Sequence, residues 1–114
     1  MKEESKSKIL KTVSREKAFY FFTSIGNYTG ESVSSLKEFM DKISAVDVKS
    51  LEFHLHRGDF EKWIAEVLED KDLAAEIDGL RSLNYSGSLL RNSLYGIVAK
   101  RYRQLSGSFS EKFR

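Results

Sequence analysis

Apolar residues recur at helical spacing along most of the chain. The clearest pattern follows a break at Gly58 and Asp59, where apolar side chains are three or four residues apart. These residues are Phe60, Trp63, Ile64, Val67 and Leu68. Such spacing places them on one face of a helix. Asp59 directly precedes the pattern and is predicted to cap the helix N-terminus.

An earlier stretch has the same periodicity. Its apolar residues are Val33, Leu36, Phe39, Met40 and Ile43. Either Ser32 or Ser35 can cap this helix. Ser35, followed three residues later by Glu38, fits a capping box, which marks the start of a helix. Asp47 is predicted to cap the next element.

The last two predicted helices occupy the C-terminal part of the chain. Asp70 is predicted to cap the first of them, with Leu73, Ile77 and Leu80 facing inward. Ser86 or Ser88 opens the second helix. One side of that helix is formed by Leu90, Leu94, Ile97, Val98, Arg101 and Leu105.

The aromatic run at residues 18–25 is ambiguous, because it is too short for its period to separate a strand from a buried helical turn. Residues 26–30 have turn chemistry and end the run. We interpret residues 27–32 as a loop that turns and caps the following helix. An anion site at that helix N-terminus is disfavoured, because Glu31 would repel phosphate and no phosphate-loop motif is present.

A second ambiguous segment covers residues 51–57. The apolar residues here are Val48, Leu51, Phe53 and Leu55. The last three alternate with polar residues, which is the period of a strand. Without Phe53 the spacing fits a helix, which we favour because helices are predicted on both sides. The alternative is a minor two-stranded pairing of residues 18–23 with residues 51–56.

These elements predict an all-α fold of about five helices. The length of 114 residues fits one domain. We place this domain at residues 17–106, between a basic arm at residues 1–16 and a tail at residues 107–114.

Composition excludes several kinds of site. The chain has no cysteine, which rules out disulfides, thiolate metal sites and a cysteine nucleophile. It has no apolar run long enough to span a membrane and no signal-peptide pattern at its start. We therefore expect a cytoplasmic protein that does not contact membranes.

Charge is distributed unevenly, although the net charge is only +2. Residues 18–80 are acidic, whereas residues 81–114 are basic. The basic residues of the last predicted helix are Arg91, Lys100, Arg101 and Arg103, with the aromatic Tyr102 among them. Cations beside aromatic rings suit phosphate contact and base stacking. A solvated basic face that pairs with the acidic segment is the favoured interpretation.

The most distinctive segment runs from His54 to Trp63. A metal site at His54, His56 and Asp59 is not predicted, because on a helix the two histidines point in different directions. We expect His54 or His56 to hydrogen-bond within the fold, and Arg57 and Asp59 to brace the turn by a charge pair or a cap. Trp63 is interpreted as a core residue, with an interface anchor as the alternative.

This segment carries a family resemblance. The residues from Phe53 to Ile64 read F-H-x-x-R-G-D-F-x-x-W-I. Over about residues 17–80 the chain resembles an uncharacterised, mainly archaeal family of small domains. The resemblance implies a helical domain of a kind that is also found attached to carbohydrate-active enzymes. It implies no catalytic residue.

We predict a non-enzymatic interaction module that binds protein or assembles with itself, because no catalytic constellation converges. No catalytic residue, metal or cofactor is predicted. The binding residues are His54, Arg57, Asp59 and Trp63. One alternative is binding of nucleic acid or a ribosomal surface through the basic C-terminal helix. Another is a small enzyme or ligand-binding domain centred on residues 54–59.

Overall fold

The computed structural model describes residue 6 and residues 8–107. In this part of the chain a two-stranded antiparallel sheet precedes five α-helices of eight residues or more. The strands are β1 (Phe19–Ser24) and β2 (Asn27–Val33). The helices are α1 (Leu36–Ile43), α2 (Val48–Arg57), α3 (Asp59–Glu66), α4 (Lys71–Arg81) and α5 (Gly87–Tyr102), and a π-helical turn (Arg103–Gly107) follows α5. The fold is therefore mainly helical with a small sheet, not purely all-α.

The sheet differs from what the sequence suggested. Residues 27–32, interpreted as a loop, lie in β2, which pairs with β1 from Phe19 opposite Val33 to Ser24 opposite Asn27. The alternative pairing of residues 18–23 with residues 51–56 is wrong. The chain reverses at Gly26, whose φ of 81° suits the tight turn, so the nearest segment becomes the partner of β1.

The favoured helix at residues 51–57 is confirmed as part of α2. Three predicted caps are also present. Ser35 accepts a hydrogen bond from the backbone N–H of Glu38, Asp47 from that of Lys49, and Asp70 from that of Leu73.

The predicted cap at Asp59 is wrong. Gly58 takes the position before α3, with a φ of 80°, and Asp59 is the first residue of the helix. The Asp59 side chain contacts His54 and Arg57 instead of the free N–H groups of α3. The side chains of His54 and Arg57 are the polar partners of Asp59, because the turn at Gly58 folds the end of α2 back against the start of α3.

One hydrophobic core joins the hairpin to all five helices. Its fully buried large side chains are Phe21, Leu36, Phe39, Ile43, Leu51, Phe60, Ile64, Leu68, Leu73, Ile77, Leu90 and Leu94. Ile9 is also buried in this core, within the segment predicted as an arm, and Leu10 and Val13 pack against it. No helix in the described part of the chain is long and apolar enough to cross a bilayer.

Candidate binding cleft

A cleft of about 590 Å³ lies between β1, the hairpin turn and the helices α2 and α3. Aromatic rings form most of its walls: Phe19, Tyr20, Phe22, Phe53 and Trp63. Ile25 and Val67 add aliphatic surface. The volume and the predominance of apolar walls are typical of sites that hold a ligand or a partner's side chain.

Strand β1 supplies one wall because its residues alternate between two faces. Phe19 and Phe21 are buried and point toward the core, whereas Tyr20 and Phe22 are half-buried. Both faces carry aromatic side chains, so the strand packs on the core and still presents rings to the cleft.

Trp63 closes the floor of the cleft. Its indole Nε1 donates a hydrogen bond of 2.7 Å to the backbone carbonyl of Lys17, and its ring meets Phe19 edge to face. The indole is buried and its polar atom is satisfied, so the ring is held in one orientation. The interpretation of Trp63 as a core residue is therefore confirmed, and the ring also lines the cleft. Its role as an interface anchor stays a prediction.

His54 joins α2 to β1 behind the aromatic walls. Its Nε2 accepts a hydrogen bond of 2.8 Å from the backbone N–H of Phe22. The ring proton is therefore on Nδ1, which donates to Oδ2 of Asp59 at 2.8 Å. The residue is only 4% exposed, and this burial lowers the pKa of His54 below 6.5, against the opposing effect of Asp59. The neutral ring fixes the position of β1 against α2.

Arg57 lies at the mouth of the cleft and is held on two sides. Its Nε donates to the same Oδ2 of Asp59 at 3.0 Å, and its Cζ lies 5.0 Å from the centroid of the Phe53 ring. The second distance is typical of a cation–π contact. Neither Nη atom of Arg57 donates to any residue that the structure describes. The guanidinium is thus oriented and still has donors free for a ligand.

The structure brings together the four residues that the sequence singled out for binding. His54, Arg57, Asp59 and Trp63 all line the cleft. His56 is exposed and lies outside the cleft. Within the described range, no group of three histidine or carboxylate side chains is placed to hold a metal ion.

Sequence reasoning missed several residues of the cleft. Tyr20 and Phe22 belong to the run at residues 18–25, whose aromatic character on both faces hides the alternation of a strand. Phe53 and Lys62 lie beside residues that were singled out for binding, but neither was itself predicted to bind. Helical spacing gave a signal for Lys62, since it lies three residues after Asp59 on the same face of α3.

The four basic residues predicted to contact a polyanion lie in α5 and in the π-helical turn that follows it, and they differ in their contacts. Arg91 donates to the backbone carbonyl of Val46. Arg101 pairs with the buried Asp70 through Nε at 2.8 Å and Nη2 at 3.1 Å. Lys100 and Arg103 are exposed. Two of the four cations predicted to contact phosphate, Arg91 and Arg101, are therefore already bound to partners within the protein.

Tyr102 was the aromatic residue predicted to contact a polyanion. It is half-buried and packs against the hydrophobic core. Its ring is therefore less available for stacking than the sequence suggested.

A family model matches residues 1–99 and is described as a family of unknown function, DUF5752. The chain belongs to this family. The resemblance to an uncharacterised family of small domains is thereby confirmed, and the archaeal distribution stays a prediction. The part that matches DUF5752 contains the whole cleft but ends before Lys100. No curated protein and no solved structure matches the chain.

Proposed function

We propose that this domain is a non-enzymatic interaction module that binds a protein partner by holding one of its apolar side chains in the aromatic cleft. The observation that carries the proposal is the cleft itself, which has five aromatic residues on its walls and a volume of about 590 Å³. A few residues in well-packed, desolvated sites provide most of the binding energy in protein interfaces, and Trp, Tyr and Arg are enriched among them.

The polar groups beneath the cleft support binding rather than chemistry. Both nitrogens of His54 have partners, Nε2 with the Phe22 N–H and Nδ1 with Asp59. A general base needs a free nitrogen facing the substrate. In this arrangement His54 acts as a positioning residue that keeps β1, and therefore Tyr20 and Phe22, in place.

The hairpin turn supports a protein partner in particular. Ile25 lies at the edge of the cleft and is 84% exposed. Together with the half-buried Phe22 and Val67, it extends the apolar surface from the cleft out to the turn. A patch of this kind, bordered by charged residues, is typical of an interaction site.

Site-specific photo-crosslinking tests the proposal. A photoreactive phenylalanine analogue is introduced in place of Ile25 and, as a matched control, in place of Leu89, which is 55% exposed in α5. Both variants are expressed in the native host, and the linked proteins are identified by mass spectrometry. We expect a specific partner to be linked from position 25 and not from position 89. The change Phe22→Asn, which removes one wall of the cleft, should abolish this product.

Other outcomes contradict the proposal. A product that forms equally at both positions reflects nonspecific contact with exposed apolar surface. A product that persists after Phe22→Asn shows that the cleft does not hold the partner. Circular dichroism of the Phe22→Asn variant establishes that the fold is retained before either result is interpreted.

A further inference from the structure

We propose that the segment bound in the cleft is the C-terminus of a partner chain, with its last side chain among the aromatic rings and its terminal carboxylate on Arg57. This inference rests on the proposed function and specifies its partner. The observation behind it is the arrangement of Arg57, which lies at the mouth of an apolar cleft with both Nη atoms free of described partners.

The guanidinium of Arg57 is prepared to bind a carboxylate. It is held by two contacts: Cζ lies over the Phe53 ring, 5.0 Å from the centroid, and Nε donates to Asp59. The end that carries the two Nη atoms can donate two parallel hydrogen bonds, which matches the geometry of a carboxylate. Because its contacts already orient the side chain, a ligand does not have to order it on binding.

The distribution of charge along α3 favours an anion at the Arg57 end of the cleft. Asp59 is already used by His54 and Arg57. Lys62, the next charged residue of the cleft along α3, is exposed and adds a second cation. Glu66 follows one turn further along, so the negative charge lies away from Arg57. A carboxylate is therefore expected near Arg57 and Lys62.

The short distance between Arg57 and the cleft wall favours a terminal carboxylate over an acidic side chain. Phe53 is a wall of the cleft, and Cζ of the guanidinium lies over this same ring, 5.0 Å from its centroid. In a ligand that contacts both, the carboxylate and the apolar group must therefore be attached to the same atom or to atoms very close together. In an extended peptide, neighbouring side chains point to opposite faces. At a C-terminus, by contrast, the carboxylate and the last side chain share one Cα atom.

Trp63 is the only tryptophan of the chain and lines the cleft, so its fluorescence reports directly on binding. The probes are peptides of the form acetyl-Gly-Ser-Gly-X, with each coded amino acid at X. Each peptide is made once with a free carboxylate and once as the C-terminal amide. A third set, acetyl-Gly-X-Gly-Asp-amide, carries an internal acid instead. For large apolar X, we expect the free acid to bind about tenfold more tightly than its amide.

Two variants connect this preference to Arg57. Arg57→Gln should reduce the affinity for the acid to that for the amide. Arg57→Lys should retain only part of the preference, because an ammonium group cannot form the paired hydrogen bonds. Arg103→Gln, an exposed change outside the cleft, should leave the preference intact.

Each outcome separates the inference from the proposed function. Recognition of a terminal carboxylate is refuted if acids and amides bind equally, or if the internal acid binds as well as the terminal acid. In both cases the cleft still binds peptides, and the proposed function stands. If no peptide of any set changes Trp63 fluorescence, the cleft does not bind such segments, and the proposed function fails with the inference. The comparison of acid and amide uses the unaltered protein, so it holds even if an Arg57 variant does not fold.

Discussion

The Nε2 atom of His54 accepts a hydrogen bond from the backbone N–H of Phe22, and this contact of 2.8 Å joins helix α2 to strand β1. It satisfies a backbone donor that would otherwise be partly buried without a partner. It also sets the distance between the two walls of the cleft. The stability of the hairpin and the shape of the cleft therefore depend on His54 remaining neutral.

Acid should destabilise the protein through His54. Protonation replaces the acceptor at Nε2 with a donor that faces the Phe22 N–H, and burial lowers the pKa of His54 below 6.5. Between this lowered pKa and 6.5 the unfolded chain binds more protons than the folded chain. The free energy of unfolding should therefore fall as pH decreases through that window, by up to about 1.4 kcal/mol per pH unit. Urea unfolding at several pH values measures this slope.

The second histidine of the chain provides the control. His56 is exposed and has no hydrogen-bond partner among the described residues. His56→Gln should leave the pH slope unchanged, whereas His54→Gln should remove it. In an NMR titration, the ring signal that persists in His56→Gln should titrate below 6.5. A midpoint at or above 6.5 would show that His54 is not held neutral by burial.

A glycine at position 58 is required for the turn that brings Arg57 and Asp59 together. Its φ is 80°, and a Cβ atom would lie 2.8 Å from Nη1 of Arg81. Gly58→Ala should therefore cost at least about 1 kcal/mol of unfolding free energy. Gly79 is the matched control, since it lies inside α4 with open space around it. Gly79→Ala should stabilise by about 0.5–1 kcal/mol. Equal effects of the two substitutions in thermal unfolding would contradict this account.

The ion pair between Arg101 and Asp70 should matter for folding more than for binding. The two side chains are 13% and 1% exposed, and Asp70 also caps α4. Arg101→Ala leaves a buried carboxylate without its cation, at a cost of about 3 kcal/mol. Arg103→Ala, at an exposed position, should cost almost nothing. Denaturant unfolding compares the two variants, and a small loss in Arg101→Ala would show that the pair is dispensable.

Glu61 is a largely buried carboxylate whose ion pair with Arg81 is long, at 3.7 Å between Oε2 and Nε. Its side chain is 13% exposed, and neither carboxylate oxygen has a hydrogen-bond partner in the described structure. Burial raises the pKa of Glu61 above 4.5, with a further increase from Asp78, against the opposing effect of Arg81. Glu61→Gln should therefore stabilise the protein at neutral pH, by about 1 kcal/mol.

The pH dependence identifies the cause of this effect. As pH falls from neutral toward 4.5, wild-type Glu61 takes up a proton in the folded state before it does so in the unfolded state. The gain from Glu61→Gln should therefore shrink across this window in urea unfolding. Glu66→Gln, at an exposed position of the same helix, should show no such trend. A gain that is independent of pH would point to packing instead of charge.

Helical periodicity predicted most of the fold but not the hairpin. The amphipathic spacing and the caps Ser35, Asp47 and Asp70 correctly indicated three of the helices. Strand β2 was missed because its residues are mostly polar and exposed, with no apolar alternation until Val33. A strand with one buried face alternates apolar and polar residues, and β2 lacks this alternation because only Val33 is buried.

The cleft was only partly predictable for a related reason. The sequence indicated four of its residues together because they lie within ten positions of one another: His54, Arg57, Asp59 and Trp63. The opposite wall comes from β1, more than thirty residues earlier, as in the bond between Phe22 and His54. Its position depends on the hairpin register, which neither composition nor helical spacing specifies.

The central claim is that the aromatic cleft is the binding surface of this domain. Backbone amide NMR of the labelled protein, titrated with the partner crosslinked at position 25, tests it most directly. We expect the largest shifts along β1, the turn at Gly26 and the cleft-facing residues of α2 and α3, with the Trp63 indole N–H among them. Shifts that cluster on the exposed side of α5, around Leu89 and Tyr95, with β1 unchanged, would contradict the claim.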